Sequence, residues 1–365
     1  MDKLKIFQFS FGDGYAGSAK VAILSSKLLA EKGHNVTLFA SKGSLTEKRA
    51  KDSGLNVIAL DSAMEFKMLI HQIAEIFTKE KPAFVITHHS LDRKVGFKLK
   101  SKFGKSFYNI GYRHNISKSF PVIGPLMYNW YYDALIACSG GVAESLIKSG
   151  IRKNKVKTIY NGISVPDNLQ QVNGDKVINE LKLNNKIVLG LSTWFHKERK
   201  GFDILFNAFS GLDEKYTLLL AGIPESGKNE VEKYASEFGI KAERLIMPGY
   251  VENIWEYYKA MDIFLLPSRS EGFSLALLEA GAAGLPLIVS DIPGNNEFIR
   301  HGINGFMFNI NEPELLKKYI LDVSGDPKLS ERLSSQAHED VMKNYLISHY
   351  ADNLEEYLLS FAGRK

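Results

Sequence analysis

Pro267-Ser-Arg-Ser-Glu-Gly-Phe-Ser-Leu-Ala-Leu-Leu-Glu-Ala-Gly-Ala-Ala-Gly-Leu-Pro286 is the stretch on which the reading of this chain turns. An apolar run, Ile263–Leu266, precedes it and is short enough for a buried strand, while Ser274 is an N-cap type of residue just ahead of an apolar helical run. Strand, short loop and helix in that order place the loop at the carboxyl edge of a parallel sheet, with the first helical amides and the positive dipole end facing outward. Such a turn holds an anion. The amides of Gly272, Phe273, Ser274 and Leu275 can cradle a diphosphate, and Gly272 lets the backbone come close. Glu271 in the loop and Glu279 inside the helix then have backbones on the order of 10 Å apart, at about 1.5 Å per helical residue. Two carboxylates so spaced can reach hydroxyls at opposite ends of one nucleotide sugar, Glu271 on the sugar and Glu279 on the ribose.

Outward from that stretch, short apolar runs alternate with segments of helical period along the whole chain, the pattern of parallel sheets covered by helices. The second half is expected to hold strands at Ile187–Leu191, Thr217–Ala221, Arg244–Met247, Ile263–Leu266, Pro286–Ser290 and Gly305–Phe308. The first half repeats the architecture, with strands at Leu4–Ser10, Asn35–Ala40, Ala83–Thr87, Phe107–Gly111, Ala134–Cys138 and Val156–Tyr160. At 365 residues the chain exceeds what one hydrophobic core supports, so two domains are expected. Between the halves, Gly162 to Gly174 is polar, contains Pro166 and follows neither period, which marks a linker. The segment Ser348 to Phe361 carries Tyr350, Leu354, Tyr357, Leu358 and Phe361 at helical spacing, a stripe that must pack on something.

Ser268, Glu271-Gly-Phe273, Glu279-Ala280, Gly284-Leu-Pro286 and the later Gly294-Asn-Asn-Glu297, in strand–helix phase, resemble the retaining glycosyltransferases of the GT-B fold, family-4 type. The resemblance extends more thinly over the rest of the chain. It implies an α/β protein of two facing Rossmann-like domains with parallel sheets and a deep interdomain cleft. Residues 1–163 would be the acceptor domain, completed by a C-terminal helix at 347–365, and residues 164–346 the nucleotide-sugar donor domain. Met247-Pro-Gly-Tyr-Val251 is similar to the family's loop on the nucleotide base, which brings in Tyr250 and Val251, and Asn161-Gly-Ile163 is similar to its interdomain signature. The resemblance also implicates Arg199-Lys200-Gly201 as the site of the cation that neutralises the leaving diphosphate. The chemistry requires that charge, because cleaving a glycosyl-phosphate bond loads negative charge onto phosphate oxygens. Many relatives place an Arg several residues earlier, in a Gly-Arg dipeptide. Here that stretch, Leu191-Ser-Thr-Trp-Phe-His196, holds no Arg, and Arg199 is the candidate substitute.

After the first strand, Gly12-Asp-Gly-Tyr-Ala-Gly17 reads alone as a Gly-x-Gly-x-x-Gly dinucleotide loop, which keeps an oxidoreductase in view. The second strand ends in Ser41-Lys42, where an NAD site places an acidic residue for the ribose; an NADP site stays open on this ground alone. Under the glycosyltransferase resemblance the loop faces the cleft, and Gly14 and Gly17 let backbone approach the donor phosphates or the acceptor. Gly111-Tyr-Arg-His-Asn115 stands where the family often has a His near the reacting sugar, so His114 is a candidate to orient a sugar hydroxyl or the acceptor. A His at a strand end is as readily a hydrogen-bonded structural group. His88 and His89 also end a strand, but neighbours that point opposite ways make a poor metal pair. No other metal-ligand spacing stands in the sequence and the family commonly works without a divalent ion, so neither metal nor resident cofactor is expected. The nucleoside-diphosphate sugar is a substrate.

The formal charge of +5 is unevenly placed: residues 1–160 hold 25 Lys and Arg against 12 Asp and Glu, and the remainder 21 against 29. A first half at +13 is suited to an anionic partner. Arg93, Lys94, Lys98, Lys100, Lys102 and Lys105, interleaved with Val95, Phe97, Leu99 and Phe103, read as a basic amphipathic segment able to settle on anionic lipid headgroups, or else as solvated charge on an ordinary helix. Nucleic acid would answer the same charge, but no nucleic-acid motif accompanies it, and none is expected as a partner. There is no run of about 18 uncharged apolar residues and no signal-peptide pattern at the start, so the expected location is the cytoplasm, peripheral to the inner face of the plasma membrane. Cys138, the only cysteine, lies in an apolar strand and is read as packing.

The activity expected is retaining transfer of a hexose-type sugar, from UDP ahead of GDP, to a hydroxyl of a lipid-linked, lipopolysaccharide or polysaccharide precursor. Glu271, Lys200, Arg199 and His114 form the catalytic set; Gly14, Gly17, Tyr250, Val251, Ser268, Gly272, Phe273, Ser274, Leu275 and Glu279 hold the donor. A sugar-nucleotide epimerase on the same fold and a non-catalytic nucleotide-sugar binder are the alternatives, and an NADP oxidoreductase comes last.

Overall fold

The computed structural model describes residues 3–12, 17–116 and 123–362, and the chain divides into two compact units, Met1–Asn161 with Ile347–Lys365, and Gly162–Leu346. The first unit runs β1 (Lys5–Ser10), α1 (Gly17–Glu31), β2 (Asn35–Ser41), α2 (Leu45–Asp52), β3 (Asn56–Leu60), α3 (Phe66–Glu80), β4 (Phe84–Thr87), α4 (Ser90–Phe103), β5 (Tyr108–Arg113), α5 (Ile123–Tyr131), β6 (Ala134–Ala137), α6 (Gly140–Lys148) and β7 (Val156–Thr158). Its strands form one parallel seven-stranded sheet in the order β3-β2-β1-β4-β5-β6-β7. Period two along β1 sends Phe7 and Phe9 to one face, where they join Phe39, Phe77 and Phe107 in an aromatic core, and turns Gln8 and Ser10 the other way. Phe9 and Phe39 stack with ring centroids 4.5 Å apart.

β3 is the strand that sequence reading misses. It sits at the sheet edge with every residue at least partly exposed and begins with Asn, a poor strand former, so no buried run announces it. The basic segment of α4 also differs from its sequence reading. Val95, Leu99, Phe97 and Phe103 all pack inward, and Lys100 is committed to Asp133 and the Phe107 carbonyl, both at 2.7 Å. The apolar side of this amphipathic helix is thus the domain's own core, and only Lys94, Lys98, Lys102 and Lys105 stand exposed.

The second unit runs α7 (Asp175–Glu180), β8 (Ile187–Ser192), α8 (Phe202–Ser210), β9 (Tyr216–Ala221), α9 (Glu225–Ser236), β10 (Leu245–Gly249), α10 (Ile254–Lys259), β11 (Ile263–Leu266), α11 (Leu275–Ala282), β12 (Leu287–Ser290), β13 (Phe306–Phe308), α12 (Glu314–Gly325) and α13 (Pro327–Asn344). Its parallel sheet has the order β10-β9-β8-β11-β12-β13. Residues 162–174 belong to this unit and are not a loose connector. Ile163 pairs with Leu346 and donates its amide to Tyr345 O at 2.9 Å, Leu169 is buried, and Gly174 lies so close to the Lys259–Ala260 backbone that no Cβ fits.

The last helix, α14 (Ile347–Ala362), is part of the first unit. Tyr350, Leu354, Leu358 and Phe361 are buried there; Glu355 takes Lys32 at 2.7 Å and His34 at 2.9 Å, and Tyr108 donates its hydroxyl to Phe361 O at 3.0 Å. Cys138 is buried. Among the described residues no helix is long and apolar enough to cross a membrane.

Candidate active site

In an open parallel sheet, ligands bind outside the carboxyl ends of the strands where the strand order reverses. In the second unit that point lies between β8 and β11, and the loops that leave those two strands are stitched together. Arg269 N donates to Arg199 O at 2.8 Å, Arg269 Nη1 to Glu198 O at 3.0 Å, and Lys200 Nζ meets Glu271 Oε1 at 2.8 Å. Lys200 and Glu271 form one ion pair whose side chains are 12% and 8% exposed. Arg199 turns its Nε to Ser270 O at 3.5 Å. Arg269 leaves Glu271 alone and grips Asp203 with both terminal nitrogens at 2.6 Å, which holds the Asp203 carboxyl below its ordinary range against the opposing effect of burial.

Two glycines allow this closeness. Gly201, N-cap of α8, has φ +66° and presses its α-carbon against Pro267 O; Gly294, at φ +94°, packs on Gly272 O. The Gly294-Asn-Asn-Glu297 motif continues the brace. Asn295 is buried and donates to Ser290 O at 3.1 Å, and Ser290 Oγ donates to Ser268 O at 2.5 Å.

Ser274 caps α11 by accepting the Leu277 amide at 3.3 Å, which leaves the amides of Leu275 and Ala276 in the first turn without an intrahelical acceptor. Gly272 and Phe273 are buried in the turn before it. Ser268 Oγ is fully buried and makes no hydrogen bond among the described residues, an unusual state for a hydroxyl. Glu279, on α11, is buried, and its Oε2 accepts from the Tyr258 hydroxyl at 3.1 Å. Burial first, and the Glu279 charge second, push the Tyr258 phenol well above its ordinary range, so it stays a donor. Tyr250 and Val251 follow β10, three strand spacings or about 14 Å across the sheet from β11. Tyr250 is exposed.

The first unit has its own reversal point, between β1 and β4. Asp92, fully buried, ties the two strand ends: its Oδ1 accepts Phe11 N at 2.9 Å and its Oδ2 accepts His88 N and His89 N at 3.1 and 2.6 Å. The two adjacent imidazoles then diverge. His89 Nε2 reaches Ser10 Oγ at 3.1 Å with its ring against Gly12. His88 bridges Gln8 Oε1 at 2.8 Å and His114 Nε2 at 2.9 Å, and His114 stacks on Tyr112 with centroids 4.4 Å apart. Ser25 Oγ meets both ends of the Gln8 amide, accepting from Nε2 at 3.1 Å and donating to Oε1 at 3.3 Å, so Ser25, Gln8, His88 and His114 form one continuous hydrogen-bonded chain. Burial drives the His88 imidazole down to about 3, with the nearby His89 adding to it, and lowers His114 well below its ordinary value. Gly17 begins α1; Gly14 lies outside the described residues. Among the described residues no three His, Cys, Asp or Glu side chains are grouped to hold a metal ion.

Tyr258, Gln8 and Ser290 escape a reading by motif, because each acts through a partner far away in sequence.

Two doubly wound units, each with polar side chains at its strand-order reversal, define the two-domain GT-B class. Residues 174–340 match the family described as glycosyl transferases group 1 and residues 15–165 the one described as Glycosyltransferase Family 4, and the chain belongs to these glycosyltransferases. It is 24% identical over 348 residues to an uncharacterized 41.2 kDa protein in the cps region of Klebsiella pneumoniae, a match that covers 93% of this chain and 90% of that one. Over 132 residues it is 30% identical to an Escherichia coli UDP-Gal:alpha-D-GlcNAc-diphosphoundecaprenol alpha-1,3-galactosyltransferase, covering 36% of this chain and 34% of that enzyme. In structure it is similar to Anabaena HepE in complex with UDP-glucose, with a TM-score of 0.86 at 19% identity over 98% of this chain and all of that one.

Proposed function

We propose that the protein transfers a hexose from a UDP-sugar, with retention at the anomeric carbon, to a hydroxyl of a lipid-linked or surface-polysaccharide precursor. The observation that carries this is the Lys200–Glu271 pair beside the cap of α11. An ammonium has three donors. Glu271 engages one of them, which aims the remaining two at a diphosphate on the amides of Leu275 and Ala276. Glu271 Oε2 is left for a hydroxyl of the donor sugar, and Glu279, oriented by Tyr258, takes the ribose. Tyr250 and Val251 meet the base. Arg199 supplements the charge of Lys200, and His114 offers a ring nitrogen to a hydroxyl of the acceptor held by the first unit.

In the reaction the C1–O bond to the phosphate breaks and its electron pair goes to the diphosphate, where Lys200 and the amides meet the growing charge. The acceptor oxygen bonds C1 on the same face, and its proton passes to a phosphate oxygen of the leaving group. No protein nucleophile is used. The UDP-glucose in HepE and the UDP-Gal in the name of the Escherichia coli relative support the choice of base, and that enzyme's diphosphoundecaprenol acceptor supports the acceptor class. Neither metal nor resident cofactor takes part, and the site lies in the cytoplasm, at the inner face of the membrane.

The test is acceptor-dependent UDP release with a panel of UDP- and GDP-sugars, with the product anomer read by NMR. Lys200→Ala and Glu271→Ala should each lower kcat at least about 100-fold. Because each strands a buried charge, both should also unfold at lower temperature, and the double variant should be more stable than either single one. Wild-type turnover in either single variant removes the site assignment, and an epimerised nucleotide sugar formed without acceptor points to an isomerase.

A further inference from the structure

The apolar face that the first unit leaves to solvent lies on α5. Leu126 and Trp130 are 67% and 81% exposed and Met127 36%, all on one side of the helix, while Tyr128 on the opposite side is buried. Three large apolar side chains exposed side by side make a contiguous patch, and a patch rimmed by polar residues marks an interaction surface. Two elements flank α5, and both are basic. On one side Phe97 of α4 packs against Tyr128 and Tyr131, with centroids 5.4 and 5.8 Å away, and Lys94 and Lys98 stand exposed within a turn of it. On the other, Asn129 accepts Arg152 N at 3.0 Å and donates to Gly150 O at 2.9 Å, which fastens the exposed Arg152 and Lys153 alongside. The nearby acids are already engaged: Asp92 holds the strand ends, Asp133 pairs with Lys100 and Glu144 with Lys148. Among the described residues no acidic side chain pairs with Lys94, Lys98, Arg152 or Lys153.

We propose that this face docks the enzyme on an anionic lipid bilayer, with Leu126, Met127 and Trp130 entering the headgroup boundary and Lys94, Lys98, Arg152 and Lys153 lying on the phosphates. The chemistry fits a lipid surface. An indole has an apolar body and a polar N–H and favours the membrane–water boundary, and a short apolar face ringed by cations binds where negative charge and hydrocarbon meet. A second copy of the chain fits poorly, because a two-fold contact through α5 would set the same cations against one another. The footprint is distinct from the apolar side of α4, which is internal, and does not depend on which sugar is transferred.

Sedimentation of the full-length protein with phosphatidylcholine vesicles, with and without phosphatidylglycerol, tests this. The wild type should pellet with the mixed vesicles and be released by salt. Leu126→Ser/Trp130→Ser and Lys94→Glu/Lys98→Glu should each weaken partitioning about tenfold. Both should keep the wild-type melting temperature and wild-type activity on a water-soluble acceptor. In a Trp194→Phe/Trp255→Phe background, Trp130 emission should shift to the blue on binding. The proposal is overturned if the wild type ignores mixed vesicles, if the serine variant partitions like the wild type, or if the serine changes abolish a dimer in solution without altering vesicle binding.

Discussion

His88 and His114 share a hydrogen bond and a buried site, and burial outweighs every other influence on their protonation. A base whose folded pKa falls from 6.5 to about 3 leaves the unfolded chain binding more protons throughout that interval, so stability falls as pH drops through it and is fully present above it. His88→Asn removes one such base. Between about pH 7.5 and about pH 5 the wild type should lose roughly 2 kcal/mol more than the variant in urea unfolding, at about 1.4 kcal/mol per pH unit below the unfolded pKa. Parallel pH profiles would mean that His88 is not held neutral. Glu271 was legible from its place in the turn before the Ser274 cap, and Lys200 through the family resemblance of Arg199-Lys200-Gly201. Their pairing was not legible, since 71 residues separate them and only the fold closes that distance.

At the scale of elements, the loops after β8 and β11 work as one piece because glycine stands where they touch. Gly201→Ala places a methyl against Pro267 O in a left-handed backbone, whereas Gly239→Ala, at φ +72° with nothing within 4 Å, meets only the backbone strain. The latter should cost about 1 kcal/mol in thermal unfolding and leave transfer intact. Gly201→Ala should cost more, and kcat should fall as Lys200 shifts. Equal effects of the two substitutions would show that the loop contact contributes nothing. The same scale explains the reading of α4. Its sequence alternates cations with apolar residues as an interfacial helix does, and so does any surface helix of a soluble domain. Nothing in that pattern tells whether core or lipid takes the apolar side, and Phe77 and Phe107 settle it for the core.

At the scale of the molecule, the chain leaves the second unit after Leu346 and finishes on the first. Tyr350, Leu354, Leu358 and Phe361 are buried there, and each such side chain contributes roughly 1.5–3 kcal/mol by removal from water. Their sum rivals the whole stability of a typical domain. Deleting residues 347–365 should therefore unfold the first unit while the second keeps a cooperative thermal transition, and Leu354→Ala/Leu358→Ala should lower the stability of the first unit alone by several kcal/mol, about 2–5 per site. Calorimetry that showed both transitions unchanged would remove α14 from the core of the first unit.

By itself the sequence determined what depends on neighbours along the chain: the alternation of strands and helices, the cap at Ser274, the glycines of the turns and the stripe on the last helix. These are signals of period and backbone preference, which act over a few residues. The tertiary structure alone decided which faces meet. It added the edge strand β3, turned α4 inward and left α5 bare, joined Lys200 to Glu271 and Tyr258 to Glu279, and set His88 and His114 where burial disfavours their charged forms. Each of those outcomes depends on contacts or burial between residues remote in the chain, and the free energy of such contacts is set by packing and desolvation that no local pattern encodes.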